Sequence, residues 1–144
     1  MVTIERMRSG DEARVQAAGE LFDLPPTEHA TAAFLADERH HLLVAVEGDT
    51  TVGFVSGVEL IHPDKGTEML LYELSVDEAH RRQGIARALV EALLRLASRR
   101  GCYDVFVLTE RSNTAAVATY LSTHATDDGD QVMFSWDLAD RRRR

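Results

Sequence analysis

One cysteine, Cys102, is all the chain holds, so no disulfide can form within it and a cross-linked framework is excluded. No apolar run approaches the length of a membrane span. The opening residues, MVTIERMRSGDEARV, have no apolar core and carry Glu5 and Asp11, so no secretory signal is read there. Repeats, low-complexity tracts and Pro/Gly-rich linkers are absent too. Basic residues are the scarcer charge: 16 Lys and Arg stand against 24 Asp and Glu, for a net charge of −8. The last four residues are arginine, so the rest is more acidic still. Such a body repels phosphates, which argues against a nucleic-acid partner. It would attract a cationic substrate, although acidity also serves solubility alone. His40-His41 lacks the spacing of a metal site, and no metal is expected. These features predict a cytoplasmic protein that meets no membrane, with one domain over residues 1–139 and a disordered basic tail at 140–144.

What is present reads as alternating elements. A strand is expected at 2–7 and a helix at 11–24, stopped by Pro25-Pro26. A short helix capped by Thr27 follows at 28–37. Strands at 41–48 and 50–61 flank a Gly48-Asp49 turn, a hairpin signal. Further strands are expected at 68–76, at 102–110 (buried on both faces) and at 130–138, with a helix at 112–123. Between 76 and 102, Ile85, Leu89, Leu93 and Leu96 recur at helical spacing, and Glu91 is placed to pair with Arg95. Strand, helix and strand here form a βαβ unit. The fold class is α+β, a mixed sheet with flanking helices.

The start of that helix, HRRQGIAR, raises the functional question. A helix N-terminus offers unpaired N–H groups and partial positive charge. Gly84 permits close approach, Ala86 keeps the next turn small, and Arg81, Arg82 and Arg87 add full charge. Together they would suit two linked phosphates. The residues alone leave a second reading open: a solvated arginine cluster with a helix-entry glycine. Neither a Gly-Lys-Ser/Thr loop nor a G-x-G-x-x-G fingerprint is present.

Arg81-x-x-Gly84-x-Ala86, after a strand and opening a helix, resembles the pyrophosphate loop of the GCN5-related N-acetyltransferase (GNAT) family. Asn113 and Tyr120 resemble that family's N-x-A-A-x-x-x-Y helix, and the order of elements fits across nearly the whole chain. YELSV followed by HRRQGIARALVEALLRLASRRGCYDVFVLTE is similar to the aminoglycoside 3-N-acetyltransferase branch. Glu73 stands where that branch usually has Asp, and His124-Ala125 replaces its usual Gly-Phe.

The resemblance implies a GNAT fold, a mostly antiparallel twisted sheet, that binds acetyl-coenzyme A as donor. Leu74, Ser75 and Val76 would pair with the pantetheine arm, and the Val76 N–H would polarise the thioester carbonyl. Arg81, Arg82, Gln83, Gly84, Ile85, Ala86 and Arg87 would hold the pyrophosphate, and Asn113 would contact the arm. Glu73 would be the base that frees the amine, and Tyr120 the acid that protonates the leaving thiolate. Carboxylates for a cationic acceptor would come from Glu73, Glu110, Asp127 and Asp128, with Glu59, Asp64 and Asp130 as further candidates.

The expected activity is acetyl transfer to a primary amine of a cationic small molecule, an aminoglycoside at its 3-amino group being the named choice. The alternatives are a polyamine, an amino-acid derivative or a protein amine as acceptor, or a non-catalytic acyl-coenzyme A-binding module. The resemblance also implies a homodimer as a further candidate, because many relatives dimerise through late strands and VMFSWDL is apolar enough to allow it.

Overall fold

The computed structural model describes residues 1–139. The expected basic tail at 140–144 lies outside them. Five strands form one sheet in the order β1-β2-β3-β4-β5. They are β1 (Val2–Arg6), β2 (His40–Glu47), β3 (Thr50–His62), β4 (Gly66–Val76) and β5 (Val105–Phe106). The first four pair antiparallel in sequence, and β5 joins β4 in parallel. Helices α1 (Glu12–Ala17), α2 (Glu28–Ala36), α3 (Ile85–Arg99) and α4 (Thr114–Ser122) cover the sheet.

The alternation of β2 explains why nearly all of it is buried. Leu43 and Ala45 face α3, where they meet Val55, Met69, Leu89 and Leu93. Leu42, Val44 and Val46 face the other way, onto Met7, Val15, Phe54 and the partly buried Phe34 and Leu35. Both faces of the sheet are therefore covered, each by its own apolar cluster. Leu89 and Leu93 are fully buried, and each such side chain stabilises the fold by about 1.5–3 kcal/mol. The helix approaches so closely at Gly57 that a Cβ there would lie 2.8 Å from Leu93 Cδ1 and 2.9 Å from Met69 Sδ.

Several boundaries differ from the sequence expectation, each for a physical reason. The helix expected at 11–24 ends at Ala17 and gives way to a 3-10 turn at Gly19–Leu21, because glycine is costly inside a helix. On α3, Glu91 pairs back to Arg87 (Oε1 to Nε, 2.8 Å) rather than forward to Arg95. Either pair is worth only about 0.2–0.5 kcal/mol on a helix surface, too little to fix which arginine Glu91 takes.

The strand expected at 102–110 shrinks to Val105–Phe106, with Leu108 exposed. The cause is a bulge in β4: Ser56 pairs with Glu73 but Gly57 pairs with Leu71, leaving Tyr72 as the extra residue. A bulge bends its strand and increases its twist. Beyond Leu70, β4 and the chain after Phe106 no longer pair. The strand expected at 130–138 is absent. That segment makes no strand pairing and its large apolar side chains are exposed; a strand is held only by ladder bonds to a neighbour, and β5, the strand at that end of the sheet, is two residues long.

Candidate active site

The divergence of β4 from the segment after β5 opens a cleft of about 280 Å³. Its walls carry Glu73, Leu74 and Ser75 on one side and Val107, Leu108, Thr109, Asn113 and Tyr120 on the other. Residues far apart in sequence thus come to one place through a single splay in the sheet.

The backbone of β4 is oriented for binding along this opening. Asp77 N–H donates to Val52 O at 2.8 Å, so these opposed residues form a hydrogen-bonded pair. In an antiparallel ladder bonded and non-bonded pairs alternate. Phe54–Ser75 is then the next bonded pair, and the peptide groups of Leu74 and Val76 turn away from β3. Arg81 Nε, reaching Val76 O at 3.4 Å, takes up one of these outward groups. At the bulge, Glu73 N–H donates to Ser56 Oγ at 3.1 Å, so a side chain replaces the lost ladder partner.

Glu73 is half-buried in the cleft wall. Burial, aided by the charge of Asp23, pushes its carboxyl above the ordinary glutamate value. Asp23 comes from the loop after α1. Phe22 stacks on Phe54 with ring centroids 4.3 Å apart, which holds that loop over the cleft. Asp23 was not among the expected site residues, and no local motif marks it.

Tyr120 projects from α4 into the same cleft. Its burial raises the phenol pKa, so the O–H is retained at neutral pH. Asn113 is the N-cap of α4: its Oδ1 accepts from Ala116 N–H at 3.2 Å, leaving the Nδ2 amide as its donor group. At the other end, His124 N–H donates to Leu121 O and Ala125 N–H to Tyr120 O, both at 3.1 Å. This is a Schellman closure, with His124 in the left-handed position at φ +70°.

At the head of α3, Arg82 (φ +63°) and Gly84 (φ +78°) are both left-handed. Such turns direct successive N–H groups into a concave, anion-binding surface. Gly84 caps α3 with no side-chain hydrogen bond, and a Cβ placed on it would meet nothing within 4 Å. Gly84 thus has free space on its side-chain side, and residues 81–84 are exposed. This shape and charge fit a coenzyme A pyrophosphate. Beside it, His80 Nδ1 lies 2.8 Å from Asp77 Oδ2, and that contact, aided by Glu47, raises the His80 pKa.

Residues 11–124 match the model of the acetyltransferase (GNAT) family. The chain belongs to the GNAT family. Members of that family use acetyl-coenzyme A as donor. N-acetyltransferase 8 of Rattus norvegicus is 36% identical over 104 residues, covering 72% of this chain and 47% of that protein. The chain thus spans about half the length of the curated relatives it matches. A crystal structure of an aminoglycoside acetyltransferase from an uncultured soil metagenomic sample, in complex with trehalose, superposes with a TM-score of 0.86 at 25% identity. It covers 95% of this chain and 96% of its own. The same enzyme in complex with sisomicin superposes at 0.85 and 24% identity, over 95% of this chain and 96% of its own.

The carboxylates expected at the acceptor side of this GNAT cleft separate into different settings. Asp127 is engaged by Arg111 through two hydrogen bonds of 2.9 and 3.2 Å, which lower its pKa. Asp127 and Asp128 line a neighbouring groove that shares Tyr120, Leu108 and Thr109 with the cleft. Glu110 is exposed, and its carbonyl accepts from Asn113 N–H at 2.9 Å. Glu59 is buried against His41 and Arg100 and cannot reach an acceptor. Among the described residues no group of three or more His, Cys, Asp or Glu is placed to hold a metal. No helix among them is long and apolar enough to cross a membrane.

Proposed function

We propose that the chain is an acetyl-coenzyme A-dependent N-acetyltransferase for a primary amine of a cationic small molecule, and that an aminoglycoside, at its 3-amino group, is the acceptor. The observation that carries this reading is the convergence of Glu73 and Tyr120 on one cleft, beside outward-facing peptides of β4. The N–H groups from Arg82 to Arg87 and the side chain of Arg81 bind the pyrophosphate at the head of α3. Bound acetyl-coenzyme A supplies the activated acetyl thioester.

The remaining work belongs to side chains and one peptide. Glu73, as carboxylate, takes the proton of the substrate ammonium and leaves a free amine to attack. Its raised pKa brings it nearer to neutral pH and makes it a better acceptor. The Val76 N–H offers a hydrogen bond where negative charge develops on the carbonyl oxygen. Tyr120 keeps its proton until a sulfur leaving group can take it. The new C–N bond replaces the C–S bond, and no covalent enzyme intermediate is needed.

For the acceptor, the support is the acidic body of the chain and the 25%-identical aminoglycoside acetyltransferase of the same fold. The higher identity to N-acetyltransferase 8 favours a second reading with the same donor and a different amine: a polyamine, an amino-acid derivative or a protein. One assay separates them. The protein is incubated with acetyl-coenzyme A and a panel of aminoglycosides, polyamines and peptides, while thiol release and acceptor mass are followed. Acetylated aminoglycoside is the expected product. Release with polyamines or peptides alone would overturn the acceptor, and coenzyme A binding with no turnover would overturn the enzymatic reading.

A further inference from the structure

Carboxylates outnumber cationic side chains in this chain, 24 to 16. Arg14, Arg39, Arg87 and Arg111 each pair with one. The arginines with no carboxylate partner among the described residues gather at the two ends of α3. Arg81 and Arg82 stand at its head, in the loop described above. Arg95 and Arg99 lie in its last turns, one turn apart, and Arg6 and Arg8 come up to them from the end of β1.

The second group has a rigid frame. Arg6 Nη2 donates to His41 Nδ1 at 2.8 Å, so that nitrogen is an acceptor and the imidazole is neutral. His41 Nε2 and Arg100 Nε both donate to Glu59 Oε2 at 2.8 Å. Arg6 and Arg100 are thus each held by one nitrogen, and their other N–H groups make no further hydrogen bond among the described residues. Holding the heads in advance lowers the ordering cost of binding. Arg8 and Arg99 flank them and are exposed.

The local negative charge falls short of this. Burial lowers the Arg6 pKa, and the charges of Arg8, Arg100 and Arg99 lower it further, against Glu59 alone. The C-terminus of α3 adds about half a negative charge. Its carbonyls are already served: Gly101 N–H donates to Ser98 O at 3.1 Å and Cys102 N–H to Ala97 O at 3.0 Å. Asp11 accepts from the Arg8 backbone N–H and faces the Arg14 guanidinium. An excess of about two positive charges is left on an otherwise acidic chain.

We propose that Arg6, Arg8, Arg99 and Arg100, set around the buried Glu59, form a binding site for a phosphate dianion, free or carried as a monoester. Guanidinium forks match phosphate oxygens in geometry and charge, and a dianion cancels the excess. Helix α3 has 15 residues, about 22 Å of length, so this site is separate from the pyrophosphate loop at the other end.

The test is thermal unfolding at pH 8 in sodium phosphate, glycerol 3-phosphate or sodium chloride of equal ionic strength. Phosphate should raise the wild-type midpoint about 2–4 °C above chloride. Arg8→Gln combined with Arg99→Gln changes two exposed side chains without ion pairs among the described residues, and its midpoint in chloride shows that it folds. This double variant should lose most of the rise, whereas Arg82→Gln, in the loop at the head of α3, should keep it. A larger rise with glycerol 3-phosphate assigns the site to a monoester, and an equal or smaller one to free phosphate. The same rise in all three proteins would be general salt stabilisation and would overturn the site. So would a rise lost only in Arg82→Gln, or no rise in the wild type. None of these readouts involves acetyl transfer, so the site stands or falls apart from the acetyltransferase reading.

Discussion

His41 Nε2 lies 2.8 Å from Glu59 Oε2 in a pair shut off from solvent. Arg6 Nη2 stands 2.8 Å from His41 Nδ1, and arginine has only donors, so Nδ1 is the acceptor and Nε2 carries the proton. The imidazole is thus neutral and donates to Glu59. Arg100 Nε donates to the same Glu59 oxygen at 2.8 Å. One carboxylate ties β1, β2, β3 and the end of α3 together.

Removing that carboxylate leaves buried donors without an acceptor. Glu59→Ala is expected to lower stability by about 1–3 kcal/mol, measured by urea unfolding. An unchanged midpoint would show that the network is dispensable. Burial pulls the His41 pKa down, Arg6 reinforces this, and Glu59 partly opposes it. The unfolded chain therefore takes up the proton first as pH falls below about 6.5. Stability is lost from that point and levels off below the folded value. The difference between wild type and His41→Gln isolates this effect from His80, whose pKa moves up, chiefly through Asp77.

Glu73 should set the acid limb of the kcat/KM profile, above the ordinary glutamate value of 4.5. Burial is the main cause, so most of the displacement should survive loss of Asp23. The Asp23 charge still contributes, and Asp23→Asn should move the limb to lower pH. Glu73→Gln should abolish the limb and depress turnover. A limb unaffected by either change assigns the base elsewhere.

Tyr120→Phe keeps the ring and removes the proton. Turnover is expected to fall by about 10²–10⁴-fold, while coenzyme A affinity measured by calorimetry stays as it was. Turnover near that of the wild type would remove Tyr120 from the acid role.

Gly84 adopts φ +78°, and its neighbourhood leaves room for a methyl group. Gly84→Ala therefore meets backbone strain rather than a clash, about 1–2 kcal/mol. If relieving that strain reshapes the loop, KM for acetyl-coenzyme A should rise about tenfold, with KM for the amine unchanged. Equal rises in both would place the effect outside the phosphate loop.

His124 occupies the left-handed position of the α4 closure at φ +70°, where glycine carries no Cβ penalty. His124→Gly should raise stability by about 1 kcal/mol, less whatever the unfolded chain gains in freedom. Thermal unfolding gives the sign directly.

Much of the local structure around the proposed donor site was legible in the sequence. The loop from Arg81 to Arg87 and helix α3 are contiguous, and a 3.6-residue period with a helix-entry glycine announces them locally. Asn113 and Tyr120 share one short helix, so their spacing already placed them together. The acceptor side was not legible in this way. Asp23 reaches the cleft only because Phe22 stacks on Phe54 across the sheet. Glu59 looked like any strand carboxylate, yet a histidine one strand away and an arginine after α3 draw it into the core.

The sequence by itself determined α3 with its glycine entry, the Thr27 cap of α2, the hairpin at Gly48-Asp49 and the acidic character of the chain, because periodicity, capping and charge are properties of neighbours along the backbone. Only the tertiary structure decided where the sheet opens, since the bulge at Tyr72 exists in the pairing of β3 with β4 and in neither strand alone. It also left residues 131–138 without a ladder. A strand is stable only through hydrogen bonds to another strand, and no local pattern states which edge will supply them.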